Sequence, residues 1–414
     1  MLALTVVGAV TLVSATSAGA SPTSPIYAQK SASYVVVGVL DQGDSVRIGR
    51  TGAAIDSVED GRANITATPA EARKIERLGY RVTRVRTEGF PLADSAYHDY
   101  AEMNAELDKV VKAHPAIVRK LSLGKSYEGR DMPLIKISDN VAVDEDEPEI
   151  LYGAHQHARE HITVEMALYL VHLFADNYGK DARITRLVNS REIWIVPDLN
   201  PDGGEFDIAG GHYHNWRKNR QPLGQGYYGV DLNRNWGYKF GCCQGSSSNV
   251  ASEIYHGPSA FWAPETQRLR DFVLSRRIGG KQQITAAIDF HSYSELVLWP
   301  FGYTQDATAP GLNADQQRTF AALGALMAKS NGYTPEQSSS LYITDGSVID
   351  WLWATQGIWA FTIEMYPTSP ENGGFYPPGS VLAAQTARNK EASLLLAEYG
   401  ECTFRVIGKQ EQYC

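Results

Sequence analysis

The chain has 414 residues, which exceeds the usual size of one domain, so we expect one large domain with an appendage. A hydrophobic content of 43% is enough for a sizeable core. The formal net charge of −9 argues against a nucleic-acid-binding protein, because such a protein needs a basic face.

The N-terminal end has the pattern of an export signal. Residues 1–28 carry no charged side chain, and the apolar run from Leu2 to Val13 precedes the small residues Ser17-Ala18-Gly19-Ala20. We therefore predict a signal peptide at residues 1–20 and a secreted, extracellular protein, although the basic start of such signals is missing. The alternative, a membrane anchor, is disfavoured because a span takes about 20 apolar residues.

A small α+β unit is predicted next, and we assign it to a pro-segment at residues 21–92. The run Tyr34 to Leu40 is a strand, Thr68-Pro69-Ala70-Glu71 combines a capping box with an early proline, and Tyr80 to Val85 is a second strand. The piece is short for an autonomous core. Its arginine-rich end, followed by Glu88-Gly89-Phe90-Pro91, suggests a cleavable linker. The alternative is a permanent small domain.

Residues 93–400 alternate between helical and strand patterns. Apolar strand-like runs include Pro133 to Ile137, Glu149 to Gly153, Glu192 to Val196 and Ile284 to Phe290, with amphipathic helices between them. This alternation predicts an α/β domain with a mixed, largely parallel twisted sheet and helices on both faces. Chemistry is expected at the carboxyl ends of the strands.

A metal site is indicated where an apolar strand passes into a helix, at Gly153 to His161. In one interpretation His157 and Glu160 are ligands and a third ligand comes from downstream. In the other, His157 and His161 bind the metal from one helix face and Glu160 is the base. Imidazole with carboxylate favours zinc. The bland alternative is a set of solvated polar residues at a helix start.

Two further residues stand at the exposed ends of buried strands. His291 follows Ile284 to Phe290, and Glu364 ends Ile358 to Ile363. Burying a charge without a partner costs several kcal/mol, so Glu364 is expected to be used. Between the strands, residues 203–260 form a long segment whose tryptophans beside arginines indicate an ordered loop, the alternative being a disordered basic loop.

The four cysteines fit an exported protein. They allow three connectivities, and we predict that Cys242 and Cys243 each join one of Cys402 and Cys414, which would tether the tail at residues 401–414 to the body. Zinc binding by the cysteines is the alternative, but the chain has no C-x-x-C spacing.

These motifs, in this order, resemble the zinc metallocarboxypeptidases of the carboxypeptidase A type (M14 family), most closely the secreted bacterial members. The match covers roughly residues 95–400 and includes the 22-position gap between Tyr342 and Glu364. It implies a secreted exopeptidase that hydrolyses the C-terminal peptide bond of peptides and proteins. One Zn²⁺ per chain is implied, with His157, Glu160 and His291 as ligands and the attacking water in the fourth position. His161 is then a neighbour of the site.

The resemblance also implies roles for the remaining site residues. Glu364 is the general base, Arg220 stabilises the oxyanion and Arg159 takes part in substrate binding. Arg234, helped by Asn233 and Tyr342, holds the substrate's free carboxylate, since a guanidinium donates two parallel hydrogen bonds. Tyr293 lies further along the cleft.

Ile349 matches the position that lines the specificity pocket. An isoleucine there favours apolar or aromatic C-terminal residues and offers no partner to a buried cation. Dual preference stays open, because an acid elsewhere in the pocket could bind a basic side chain. Alternative functions are a related cell-wall peptide amidase and a non-catalytic peptide-binding relative. The expected partners are peptide or protein substrates and an activating protease, with no nucleic acid and no membrane, and we expect a monomer.

Overall fold

A computed structural model describes residues 31–59, 61–84, 96–209 and 213–414. The predicted signal peptide and most of the predicted linker, residues 85–95, lie outside the described residues. The described part begins with a small α+β unit. Its elements are β1 (Ala32–Val37), α1 (Gln42–Gly49), β2 (Ala54–Glu59), β3 (Arg62–Ala67), α2 (Pro69–Arg77) and β4 (Arg81–Arg84).

This N-terminal unit is an antiparallel four-stranded sheet, in the order β2-β3-β1-β4, with its own apolar core. Helix α2 begins as predicted. The Thr68 hydroxyl accepts a hydrogen bond from the Glu71 N–H, and the Glu71 carboxylate accepts one from the Thr68 N–H. Val36, Ile48 and Ile65 are fully buried in this core, which is separate from the core of the main domain.

The main domain follows with a second, larger sheet. Its strands, with two small hairpins, are β5 (Val118–Lys125), β6 (Asp131–Ile137), β7 (Glu149–Ala154), β8 (Glu192–Val196), β9 (Pro222–Gly224), β10 (Tyr227–Tyr228), β11 (Arg277–Ile278), β12 (Lys281–Gln282), β13 (Ile284–Ser292), β14 (Leu296–Trp299), β15 (Thr334–Gln337) and β16 (Trp359–Met365). Its helices are α3 (Tyr100–Ala113), α4 (Ile162–Asn177), α5 (Ala182–Val188), α6 (Pro201–Asp207), α7 (Pro264–Ser275), α8 (Ala314–Asn331), α9 (Ser338–Leu341), α10 (Val348–Gln356), α11 (Leu382–Arg388), α12 (Lys390–Tyr399) and α13 (Gln410–Tyr413).

The large sheet has eight strands in the order β15-β14-β16-β13-β7-β8-β6-β5. The four central strands β16, β13, β7 and β8 run parallel, and β14, β6 and β5 add antiparallel pairings. The sheet is therefore mixed, and the predicted fold class is confirmed. Because the central strands are parallel, the segments that follow β7, β8, β13 and β16 meet at one edge.

Both faces of the sheet are covered, as the apolar runs predict. Along β7, Ile150 and Tyr152 belong to one apolar cluster while Leu151 belongs to the other. Helix α4 packs on the first face through Leu170, and α10 packs on the second through Leu352. Burial on both sides fixes the central strands rigidly, which suits them to position side chains at their ends.

The predicted disulfide connectivity is wrong. Cys242 is bonded to its neighbour Cys243, and Cys402 is bonded to Cys414 within the tail. The tail is held instead by packing, because Phe404 lies edge-on to Trp359 with ring centroids 5.2 Å apart. Sequence spacing could not reveal this, because four cysteines allow three connectivities and the choice depends on where the folded chain places the tail.

Two consecutive helices lie near the C-terminal end of the main domain. Helices α11 and α12 meet at Asn389, whose side-chain amide donates to the Gln385 carbonyl and to the Tyr333 hydroxyl.

In the part of the chain that the structure describes, no helix combines the length and apolar character that a membrane span requires.

Candidate active site

Three predicted ligands meet at the carboxyl ends of β7 and β13. His157 and Glu160 lie in the turn between β7 and α4, and His291 lies near the end of β13. The His157 Nδ1 is 2.8 Å from the Glu160 Oε1, and the His291 Nδ1 is 2.9 Å from the Glu160 Oε2. The two Nδ1 atoms are 3.0 Å apart. All three side chains are buried, and their donor atoms converge as metal ligands do. We call His157, Glu160 and His291 together the metal group.

The outer nitrogens of both histidines face carboxylates. The His157 Nε2 is 3.0 Å from the Asp231 Oδ1, and the His291 Nε2 is 2.5 Å from the Asp289 Oδ2. A carboxylate on the outer nitrogen orients the ring and directs the other nitrogen toward a metal. This donor set, with two imidazoles and one carboxylate, fits zinc.

Glu364 lies beside this group because of strand register. It pairs with His291 across the parallel strands β16 and β13, and it lines the same cleft as His157 and Glu160. Burial raises the pKa of the Glu364 carboxyl to about 8. A carboxylate with a raised pKa, held next to a metal group, is suited to accept and return a proton near neutral pH.

The structure brings Arg217 to the cleft, whereas the family resemblance implied Arg220 there. The Arg217 guanidinium is 3.0 Å from the Asp231 Oδ2 and 3.9 Å from the Glu160 Oε1. Arg220 is stacked on aromatic rings instead, with its guanidinium carbon 3.6 Å from the Phe206 ring centroid and 4.4 Å from that of Tyr228. The residues that line the cleft include Arg217 and not Arg220. The assignment to Arg220 therefore needs correction.

The predicted carboxylate-binding residues Arg234, Asn233 and Tyr342 lie together in the cleft. Arg234 is buried, and its Nη2 donates to the Tyr342 hydroxyl over 3.0 Å. The Asn233 side chain accepts from the Val348 N–H over 2.9 Å, and its amide nitrogen lies 3.4 Å from the His291 Nε2. Arg234, Asn233 and Tyr342 all line the same cleft as the metal group.

Ile349 lies in the same cleft, together with Leu298 and Thr362. Its neighbour Asp350 is fully buried, and its carboxylate oxygens each accept from the Gly302 N–H at 3.0 Å. Burial raises the pKa of Asp350 to about 7. That carboxyl is committed to the backbone and does not line the cleft, so it offers no partner to a basic side chain.

Arg159 and Tyr293 are not among the described residues that line the cleft. Arg159 has 0% exposure: its guanidinium covers the Phe375 ring at 4.0 Å, and its Nη2 donates to the Asp56 Oδ1 over 3.0 Å. Asp56 belongs to the N-terminal unit and reaches into the cleft. Tyr293 packs edge-on against Phe375 with ring centroids 4.8 Å apart. Arg159 is thus covered by Phe375 on one side and contacted by Asp56 of the N-terminal unit.

His161 lies outside the metal group in the described residues. Its Nε2 is 3.0 Å from the Asp207 Oδ2, and its ring centroid is 5.2 Å from that of His155. The geometry thus supports the ligand set His157, Glu160 and His291.

We predict that His161→Ala retains one zinc per chain, whereas His157→Ala loses it, because His157, unlike His161, points a ring nitrogen at the other ligands. Metal analysis after dialysis against zinc-free buffer measures this. Loss of zinc from His161→Ala with retention in His291→Ala would support the H-x-x-E-H arrangement instead.

Comparisons with known proteins show the family of the chain. Residues 103–392 match the Peptidase M14 family, described as zinc carboxypeptidase. A zinc carboxypeptidase of Saccharothrix mutabilis subsp. capreolus is 43% identical over 383 residues, which cover 88% of this chain and 88% of that protein. Carboxypeptidase A2 of Rattus norvegicus is 36% identical over 297 residues, covering 71% and 68%. The crystal structure of a carboxypeptidase A from Helicoverpa armigera shares the fold, with a TM-score of 0.74 at 23% identity over 90% of this chain and 98% of that chain.

Proposed function

The chain belongs to the zinc carboxypeptidase family and is a peptide hydrolase, and from this premise we propose that it removes C-terminal residues with Glu364 as its base. The main support is that a single cleft contains both the metal group and a buried arginine. His157 and Glu160 line this cleft together with Arg234 and Glu364. A hydrolytic centre beside a guanidinium suits a substrate whose scissile bond lies next to a free carboxylate.

His157, Glu160 and His291 would hold the zinc ion, supported by their converging donor atoms. When bound, zinc supplies Lewis-acid chemistry that polarises the scissile carbonyl and acidifies water. Asp231 and Asp289 keep the two imidazoles oriented through their outer nitrogens.

Glu364 takes the proton of the attacking water and returns it to the leaving amine. The raised pKa of this partly buried carboxyl suits both transfers, since it holds a proton more readily than an exposed glutamate does. Its place opposite His291 in the strand register keeps the carboxyl fixed beside the metal ligands.

Arg217 stabilises the negative charge that develops on the carbonyl oxygen. Its guanidinium is buried, lines the cleft and is fixed by Asp231, so it requires no reorganisation during the reaction. Arg220 would support the loop through its aromatic contacts, a structural role. We therefore transfer the oxyanion role from Arg220 to Arg217.

Arg234 binds the free C-terminal carboxylate, with Asn233 and Tyr342 beside it. The Tyr342 hydroxyl accepts a hydrogen bond from the Arg234 Nη2. When a substrate carboxylate binds, this hydrogen bond would have to break so that the Nη2 can donate to the carboxylate. Arg159 and Tyr293, which flank Phe375, would contact residues further from the C-terminus once the N-terminal unit is gone.

Metal dependence tests this function. Hydrolysis of a peptide with a free C-terminus should stop after chelation and return with stoichiometric zinc, because the ligand set is built for zinc. Calcium and magnesium should not restore it, since both prefer oxygen ligands. Full activity in metal-free protein would overturn the assignment.

Substrate preference is expected to be apolar or aromatic. Among the described residues, the acids that line the cleft are Asp56, Glu160 and Glu364. Asp56 belongs to the N-terminal unit, Glu160 is the proposed zinc ligand and Glu364 is the proposed base. A lysine or arginine side chain beside Ile349 would thus be buried without a partner.

We predict that kcat/KM for peptides ending in Phe or Leu exceeds that for Lys or Arg ends by more than about tenfold, or about 1.4 kcal/mol. Steady-state kinetics on four matched peptides measure this. Ile349→Asp should shift the ratio toward basic ends and locate the pocket. Equal cleavage of all four peptides by the unaltered protein would contradict the prediction.

The N-terminal unit is proposed to be an inhibitory pro-segment. Ile55 and Asp56 line the cleft, Asp56 pairs with Arg159, and the Ser294 hydroxyl donates to the Asp56 carbonyl over 2.7 Å. The unit therefore covers the approach that a peptide chain would use.

We predict that the full-length chain is at least about tenfold less active than protein cut between Arg84 and Tyr97. Asp56→Asn should relieve part of the latency. Asp44→Asn is the matched control, because Asp44 is also buried but contacts Arg47 and Tyr80 within its own unit. Equal activity of the cut and uncut forms toward a small substrate would leave the unit with a folding role.

We also propose that the protein is exported and acts as a monomer on extracellular peptides. The uncharged apolar N-terminus and the disulfides Cys242–Cys243 and Cys402–Cys414 support an oxidising compartment. An activating protease would act on the arginine-rich end of the N-terminal unit.

A further inference from the structure

The guanidinium of Arg234 is held from three sides. Its Nη2 donates to the Tyr342 hydroxyl, its Nη1 donates to the Asn233 carbonyl over 2.8 Å, and its Nε donates to the Gly245 carbonyl over 3.0 Å. Tyr342 and Asn233 are already assigned to the site. Gly245 lies in a different loop, which directly follows the Cys242–Cys243 disulfide.

That loop is fastened by a single buried carboxylate. Asp345 is fully buried, and its Oδ2 accepts from the Cys243 N–H over 2.9 Å and from the Gly245 N–H over 3.0 Å. Its Oδ1 accepts from the Ser246 hydroxyl. Three donors of one loop therefore converge on a side chain that lies only three positions after Tyr342.

Two glycines allow these segments to touch. A side chain at Gly245 would meet the Thr344 backbone at 2.5 Å, and one at Gly346 would meet the Arg234 carbonyl oxygen at 2.4 Å. Gly346 also has a φ of 63°, a conformation that favours glycine. The Cys243–Ser246 loop, the Tyr342–Gly346 segment and Arg234 thus form one close-packed unit.

We propose that Asp345 is a positioning residue for the substrate carboxylate: it fixes the Gly245 carbonyl, which sets the direction of the Arg234 guanidinium. A planar guanidinium binds a carboxylate with two parallel hydrogen bonds only when its plane is correctly aimed. Loss of the Asp345 contacts leaves Arg234 present but misdirected, which weakens substrate binding while the metal group stays intact. This inference rests on the proposed role of Arg234.

The variant Asp345→Asn tests the proposal. The full-length protein is loaded with zinc and then cut between Arg84 and Tyr97 before the measurement. The amide retains the size of the side chain but replaces an acceptor oxygen with a donor. We expect KM for a free-acid peptide to rise about tenfold and kcat to stay within about twofold. Binding of 3-phenylpropionate, measured by calorimetry, should weaken by a similar factor, and zinc content should not change.

Asp202→Asn is the matched control. Asp202 is equally buried and also accepts from a serine hydroxyl and a backbone N–H, those of Ser126 and Glu128, but it does not line the cleft. It should leave KM and 3-phenylpropionate binding unchanged. If Asp345→Asn does not fold, Ser246→Ala removes one of the three contacts and should still raise KM by about threefold.

A fourth variant, Arg234→Gln, separates this inference from the proposed function. If Arg234→Gln weakens 3-phenylpropionate binding while Asp345→Asn and Ser246→Ala bind it as the unaltered protein does, the inference is overturned and the role of Arg234 stands. If Arg234→Gln also binds it normally, the proposed carboxylate site itself is wrong. An Asp345→Asn protein with reduced kcat and unchanged KM would equally overturn the inference.

Discussion

Glu364→Gln is expected to reduce kcat by about 10³-fold while one zinc remains bound, because general-base catalysis contributes roughly 10²–10⁴-fold. The amide has nearly the shape of the carboxyl but cannot accept the proton of the attacking water. His157, Glu160 and His291 are unchanged in this variant, so the metal group should persist. Steady-state kinetics and metal analysis on the same preparation measure both quantities.

Glu336→Gln is the matched control for that variant. Burial raises the pKa of Glu336 to about 7, yet this residue lies on β15 and does not line the cleft. It should retain full kcat. An active Glu364→Gln protein would show that another group takes the proton, whereas an inactive protein without zinc would show that Glu364 supports the metal group.

Arg217→Gln should reduce kcat by about 10²–10³-fold, the effect of removing a preorganised oxyanion donor. Arg220→Gln should leave kcat unchanged and lower stability by about 0.5–2 kcal/mol, the range of cation–π contacts. Kinetics and thermal unfolding of the two variants distinguish the roles. The reverse pattern, with a silent Arg217→Gln and an inactive Arg220→Gln, would restore the original assignment.

Zinc content must accompany the Arg217 measurement. Arg217 pairs with Asp231, which also faces His157, so its loss can disturb a ligand indirectly. A fall in kcat with full zinc occupancy is the expected result. A fall that zinc addition reverses would assign Arg217 to metal binding.

The meeting of His157, Glu160, His291 and Glu364 in one place could be predicted because their signals are local. His157 and Glu160 are three positions apart in a turn after an apolar strand, and His291 and Glu364 each stand near the end of one. Parallel strands bring such ends to one edge, so pattern and topology agree. The fold class followed from the same alternation of strands and helices.

The choice between Arg217 and Arg220 could not be made from pattern alone. Both lie in one segment beside Trp216, and only the fold shows that Phe206 and Tyr228 surround Arg220. Asp231 and Asp289 were missed as orienting carboxylates for a related reason. Each lies within two positions of a recognised residue, and that proximity was the available signal, but a carboxylate on a histidine's outer nitrogen is a three-dimensional relation.

The most direct test uses two peptides that differ only in having a free or an amidated C-terminus. Zinc-loaded protein, cut between Arg84 and Tyr97, is incubated with each, and the products are identified by mass spectrometry. We expect release of a single apolar C-terminal residue from the free-acid peptide, no release from the amide, and no reaction in the presence of a chelator. Cleavage at internal bonds, or equal cleavage of both peptides, would contradict the proposal that this site binds the substrate's free C-terminal carboxylate and removes the C-terminal residue.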